Sequence, residues 1–477
     1  MTGGRTSGES SAAGSSAADG SSAPPTAGRV FRRATDPHPI VAVRARGSEI
    51  WDADGHRYLD AAGGAVVVNV GHGRESVVAA MSDQAARLAY AHGSAFTTEA
   101  VEQYAAAVGP HLPMDAPAIY PVSGGSEAVE SALKLIRAYH LARREPNRLI
   151  VFARWGSYHG NTLGALDLSG RRPLRRPYEP WLGRFRHLSA AYPYRDGYPG
   201  ANALGDATEL AAELDRAILA AEPGTVAAFI AEPIVGATLG AVEPPPGYWP
   251  AIAEVCRRHG GLLVADEVMT GFGRTGRWFA VDHWGVRPDI VVAAKGATSG
   301  YWPFGFAAAS GEVFETVTER GGFVHGFTFS HSPVGAAVAL EVLRIIERED
   351  LVARSAVQGD RLLAELRGRL SDHPNVGEIR GRGLMVGLEL VEDRETRAPF
   401  DRSLGVAEQL VRNARTGGLL LYSGNGNANG VDGDVLLLGP PFTISDAEIT
   451  EIGEGLERAL ATTMDALPAI RRLREGS

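Results

Sequence analysis

Two residue types are nearly absent from this chain, and each absence narrows what it does. Of 47 Lys and Arg residues in 477, only Lys134 and Lys295 are lysine. Arginine serves almost everywhere a generic cation would suffice, so the two lysines are candidates for work that a guanidinium cannot do, such as becoming a neutral amine nucleophile. Cys256 is the single cysteine, which excludes an intramolecular disulfide and a C-x-x-C metal site and points to a reducing, cytoplasmic setting. The formal charge is −9 with no dense basic tract, which argues against nucleic acid or an anionic membrane as main partner. No apolar run is long enough for a membrane helix. The histidines are scattered and H-E-x-x-H is missing, so no metal site is expected. Residues 1–28 lack large apolar side chains and read as a disordered Gly/Ser/Ala tail rather than a secretory leader, which needs an apolar core.

A chain of this length is expected to split into two domains. Between residues 100 and 344, helical patterns alternate with short apolar runs: Leu149–Arg154, Val226–Glu232, Leu262–Val268, Ile290–Lys295 and Gly305–Ser310. Continuous rather than alternating apolar residues fit strands buried on both faces, hence a large α/β domain with a mostly parallel sheet. Near residue 50, "GSEIWDADGHRYLDAAGG" reads as a hairpin around an Asp-Gly turn. Beyond residue 344, helical runs lead to the strand pattern "GRGLMVGLELV" and a closing helix from Ser445. Residues 29–99 and 345–477 are expected to pack together as a smaller α+β domain.

Ligands of such sheets sit beyond the carboxyl ends of strands, and there the apolar runs deliver Glu232, Asp266 and Lys295. Asp266 and Lys295 lie 29 positions apart, one strand-helix-strand unit, so both side chains can open into one crevice. A plain ion pair is one reading. The other is a pyridoxal phosphate site, in which lysine forms the Schiff base and the acid keeps the pyridine nitrogen protonated. A phosphate anchor is available in "PVSGGSEAVESALKLIR", where Gly124, Gly125 and Ser126 open a helical pattern; an ordinary N-cap at Ser126 is the simpler alternative. Lys134 falls inside that helix and is expected to pack or pair. Tyr158 and His159 follow a strand and can flank a cofactor ring, while Val268, two residues past Asp266, faces the same side and can cover the other face. A rival motif, "GFGRTG" at 271–276, matches G-x-G-x-x-G but opens no helical pattern and has no strand-ending acid about 20 residues on, as a nicotinamide site requires.

Seven motifs in order, "SGGSEAVESALKLIR", "YHGNTLGAL", "AEPIVG", "VADEVMTGFGRTG", "AAKGATSGYWP", "HGFTFSHSP" and "RGRGLMVGLEL", resemble the class III, or ω-type, pyridoxal-phosphate aminotransferases. The resemblance implies fold type I, a homodimer with shared active sites, and amino transfer from an amino acid or amine donor to a keto or aldehyde acceptor through pyridoxamine phosphate. It implies Lys295 as the Schiff-base lysine and proton carrier, Asp266 as partner of the pyridine nitrogen, and Tyr158 and Val268 as the ring sandwich. It further implies that Gly124, Gly125 and Ser126 hold the phosphate, with His159 beside the cofactor. Thr328 resembles the threonine that reaches the phosphate in the neighbouring subunit, and Glu232 the acid that pairs with a mobile arginine in glutamate-using members. The family also contains racemases, epimerases and decarboxylases, which these motifs do not separate. One departure stands out: "VLLLGPPF" puts Leu437 where the mobile arginine would fall, and "YSGNGNANGVDGDV" offers Asp432 but no arginine.

Overall fold

A computed structural model of the chain describes residues 30–31 and 39–475; the expected tail, residues 1–28, lies outside them. Among the described residues, seven strands form the central sheet, ordered Ala118–Val122, Gly305–Ala309, Ile290–Ala293, Leu262–Asp266, Val226–Ala231, Ile150–Arg154 and Arg186–Leu188. The pairings from Ile290–Ala293 to Arg186–Leu188 are parallel, and Gly305–Ala309 runs antiparallel to both its neighbours.

The apolar runs are continuous because alternate residues are buried on opposite faces. Ile290 and Val292 pack with Ala128, Ala132 and Leu135 of the helix Gly125–Ala142. Val291 and Ala293 face the layer that holds Tyr248, Trp249 and Ile252 of the helix Tyr248–His259. Cys256 is buried in that second helix, and burial pushes its thiol up to about 12, an inert packing group.

Four of the five expected strands end earlier than the sequence suggested. The run toward Lys295 stops as strand at Ala293, and Lys295 opens a short turn, Lys295–Ala297, with φ +42. That left-handed conformation is costly for a side chain with a Cβ and is held here by the surrounding packing. Likewise Glu232 lies just past Val226–Ala231, whereas Asp266 is the last residue of its own strand.

Both chain ends contribute to one smaller sheet. Glu49–Asp52 and Arg57–Asp60 form the expected hairpin around Asp54-Gly55, and Leu419–Leu420 adds to it in parallel. A separate antiparallel sheet orders Val376–Gly381, Val386–Leu390, Asp434–Leu438 and Tyr422–Asn425. The closing helix, Asp446–Glu475, starts on a capping box: the Glu448 amide donates to Ser445 Oγ at 3.3 Å and Ser445 N–H to Glu448 Oε2 at 2.7 Å. No described helix is long and apolar enough to cross a membrane.

The tightest helix contact is at Gly359 in Leu351–Leu370, where a Cβ would come within 2.1 Å of the Gly383 carbonyl. Backbone cannot retreat as a flexible side chain can, so Gly359→Ala should destabilise the protein by about 3 kcal/mol or more. A urea unfolding midpoint equal to wild type would contradict this.

Candidate active site

The carboxyl ends of the central strands open onto a cavity of about 400 Å³. Glu232, Asp266 and Lys295 all line it, as do Gly124, Gly125, Ser126, Tyr158, His159 and Val268. Thr328, expected beside a cofactor phosphate, lies elsewhere, exposed on a turn of its own chain. Lys134 sits apart and pairs with His325, Nζ to Nδ1 3.2 Å.

Each acid is held by specific donors. Asp266 Oδ2 lies 2.6 Å from His159 Nδ1, and its Oδ1 accepts the Val268 amide at 3.1 Å. These contacts orient Asp266 toward the cavity, which its burial at 3 % exposure would otherwise disfavour. The His159 ring is itself fully enclosed, with Nε2 lacking a partner. Glu232 accepts the Tyr158 amide on Oε2 at 2.9 Å and the Gly236 amide on Oε1 at 3.2 Å. Burial nonetheless pushes its carboxyl up to about 7, against the lowering effect of nearby His159.

Lys295 is half-buried, its accessible face being cavity wall. Loss of water around the ammonium pushes it down to about 8, although Asp266 and Glu232 pull the other way. Asn69 fixes the turn that carries it: the Asn69 Nδ2 donates to Gly296 O at 3.0 Å, and its backbone N–H to Ser299 Oγ at 2.9 Å.

The floor belongs to the helix Gly125–Ala142. Its N-cap is Gly124 in an extended conformation rather than Ser126. Ser126 Oγ instead accepts the Asn161 amide at 3.1 Å, so the hydroxyl is tied to the loop carrying Tyr158 and His159. First-turn amides of an 18-residue helix, with no side chain at Gly124 or Gly125 to cover them, make an anion cradle. A Cβ at Gly125 would meet Val268 Cγ1 at 2.9 Å, and one at Gly160 would meet Ser126 Oγ at 2.5 Å. The cradle, a buried acid held by His159, and a lysine depressed toward neutrality together fit a phosphate-bearing pyridine aldehyde. Gly160→Ala, also strained at φ +136, should displace Ser126 and raise the cofactor dissociation constant at least about tenfold, about 1.4 kcal/mol. Dialysis followed by the cofactor absorbance measures this, and full retention would count against the cradle.

The remaining wall was not read from the sequence. Val67, Met269, Trp302 and Phe304 line it, and among the described residues no arginine does. Trp302 was findable, seven residues past the lysine in "KGATSGYW"; Val67 and Met269 carry no local signal. Leu437 is buried among Val66, Ile234, Met269 and Met385 behind this wall. Asp432 does not reach the cavity: it accepts the Arg402 amide at 3.0 Å and the Asn429 side chain at 3.0 Å. The "GFGRTG" segment forms turns followed by only a short 3-10 turn, Ala280–His283, and Arg274 within it is spent on the carbonyls of Val68, Leu384 and Pro440.

Residues 30–460 match the family described as Aminotransferase class-III. An uncharacterized aminotransferase of Bacillus subtilis, YodT, is 39 % identical over 417 residues, covering 87 % of this chain and 93 % of the relative. A putrescine–pyruvate aminotransferase of Pseudomonas aeruginosa is 36 % identical, covering 90 % and 92 % of the two chains. Among solved structures, a thermostable (S)-enantioselective omega-transaminase from Thermomicrobium roseum aligns with TM-score 0.83 at 39 % identity, over 90 % of this chain and 93 % of that one. The sheet that brings Asp266 beside Lys295 is thus the sheet of a known lineage, and the chain belongs to the class III aminotransferases, fold type I enzymes that work with pyridoxal phosphate.

Proposed function

We propose that Lys295 is the residue through which this aminotransferase moves an amino group from a donor to a keto or aldehyde acceptor. The observation that carries the assignment is a lysine in strained backbone at a strand end, depressed to about 8, in one cavity with Asp266 and Glu232. Bound there, pyridoxal phosphate supplies an aldehyde for the donor amine and a protonated ring that accepts the electron pair of the broken C–H bond. Asp266 holds the proton on the ring nitrogen, with His159 keeping the carboxylate in place. Gly124, Gly125 and Ser126 would bind the phosphate, and Tyr158 and Val268 would hold the ring. Neutral Lys295 would take the proton from the carbon that bears the donor amine and deliver it across the nitrogen to the carbon that was the cofactor's aldehyde. Its pKa near the working pH suits both directions of that transfer.

Residues 100–344 act as the cofactor domain, with residues 29–99 and 345–477 as the smaller domain. Val324 and Phe329, 93 % and 67 % exposed, flank the exposed Thr328 in the chain and support a homodimer in which Thr328 reaches the partner's phosphate. A single, buried thiol supports a cytoplasmic location.

The deciding experiment mixes cofactor-loaded protein in turn with L-glutamate, L-alanine, an arylalkylamine and a diamine while the absorption of bound cofactor is followed. Stoichiometric conversion to the pyridoxamine form sustains transamination. Perturbed absorption with no conversion by any donor would favour racemisation or decarboxylation instead.

Covalent loading should also report the lysine's titration. With the folded pKa lowered to about 8, the amine is about a tenth neutral at pH 7 and mostly neutral at pH 9. The rate at which apo-protein becomes reducible by borohydride onto Lys295 should therefore rise with pH and level off above about 8. A midpoint near the ordinary lysine value would refute the depressed pKa.

A further inference from the structure

A second, smaller chamber adjoins the catalytic cavity through one short segment: Gly156 lines the chamber, and Tyr158 lines the cavity. Its free volume is about 30 Å³, room for roughly two waters. The wall presents Arg171, Arg172, Trp155, Tyr192 and Asn427, and no aspartate or glutamate contributes to it.

The chamber's donors are left over. Arg171 is part-buried, with its Nε enclosed and lacking a hydrogen-bond partner; Arg172 is exposed, and among the described residues neither forms an ion pair. Arg172 lies against the Trp155 ring, Cζ 4.9 Å from its centroid, and its stem occupies the space that Gly430 vacates, where a Cβ would come within 2.5 Å of Cδ. Stacking of this kind leaves the guanidinium edge available for a planar ligand. Nearby acids are already taken and do not neutralise the pair. Glu389 is held by Arg195 at 2.6 Å, Arg380 at 2.8 Å and Asn427 at 2.8 Å. Asp432 is held by Asn429 and the Arg402 amide.

We propose that this chamber is a binding site for a carboxylate, with the carboxylate head between Arg171 and Arg172 and any carbon tail left at the mouth. A buried N–H donor without a partner calls for an acceptor, and a guanidinium matches a carboxylate in charge and geometry. The chamber is too small for a bulkier head group. The site rests on residues that take no part in the chemistry at Lys295.

Isothermal titration of the cofactor-loaded enzyme with acetate, in chloride-free buffer, tests this, with inorganic phosphate as the oversized control. Acetate should bind once per chain. Arg171→Gln and Arg172→Gln should each weaken it at least about tenfold, about 1.4 kcal/mol, while cofactor absorbance stays at the wild-type level; two separate variants guard against one failing to fold. Lys295→Met should leave acetate binding intact. The proposal is overturned by absence of saturable acetate binding, by equal affinity in both arginine variants, by loss of binding in Lys295→Met, or by phosphate binding where acetate does not.

Discussion

Lys295→Ala is expected to lower the rate of amino transfer by at least about 10⁴-fold, the scale on which removing a nucleophile or base that acts with its neighbours registers in other enzymes. No second amine can substitute: Lys134, the other lysine, pairs with His325 outside the cavity. The variant should still bind cofactor noncovalently, because the cradle at Gly124–Ser126 and the Asp266–His159 pair do not depend on it. Borohydride should then fix no cofactor to the protein, whereas wild type is labelled stoichiometrically. Persistent labelling or activity within tenfold of wild type would sink the assignment. The apo-protein should show the other side of the same physics. The folded amine has a pKa lowered to about 8 and the unfolded one an ordinary pKa near 10.5, so between these values the unfolded chain binds more protons. Through this one group, stability is therefore lowest below about pH 8 and rises as pH climbs toward the unfolded value, and the variant should lack that rise.

Asp266→Asn is expected to reduce kcat by about 10³- to 10⁴-fold while leaving the cofactor attached, the size seen when an acid that orients and charges its partner becomes an isosteric amide. The amide keeps the shape: its oxygen still accepts the Val268 amide, and its nitrogen meets His159. What would disappear is the negative charge proposed to hold a proton on the ring nitrogen, and with it the electron sink. Steady-state kinetics beside the absorbance of the loaded cofactor separates the two effects. A kcat within tenfold of wild type would show that the proton is held by something other than Asp266.

Much of this site was legible before folding because local rules carry it. The continuous apolar runs around residues 150, 228, 264 and 291 mark strands buried on both faces, and one strand-helix-strand unit separates Asp266 from Lys295. The strands Ala118–Val122 and Arg186–Leu188 were missed: the first contains Pro121, and the second is three residues reading Arg-His-Leu. Both are strands through their neighbours rather than their own composition. An N-cap at Ser126 was one of two local readings; the N-cap is Gly124, and Ser126 Oγ accepts from Asn161, a contact across 35 positions that no local pattern encodes.

The sequence alone therefore singled out the groups that the structure gathers in one cavity: one usable lysine among arginines, an acid at the preceding strand end, and glycines before a helix, because residue type and period are local properties. Only the tertiary structure decided what surrounds them. The contact of His159 with Asp266 across 107 positions, the place of Gly305–Ala309 beside both the first strand and Ile290–Ala293, and the burial that depresses Lys295 and raises Glu232 belong to it. Desolvation and pairing between distant segments exist only once the chain has closed on itself, so they have no signature in the order of its residues.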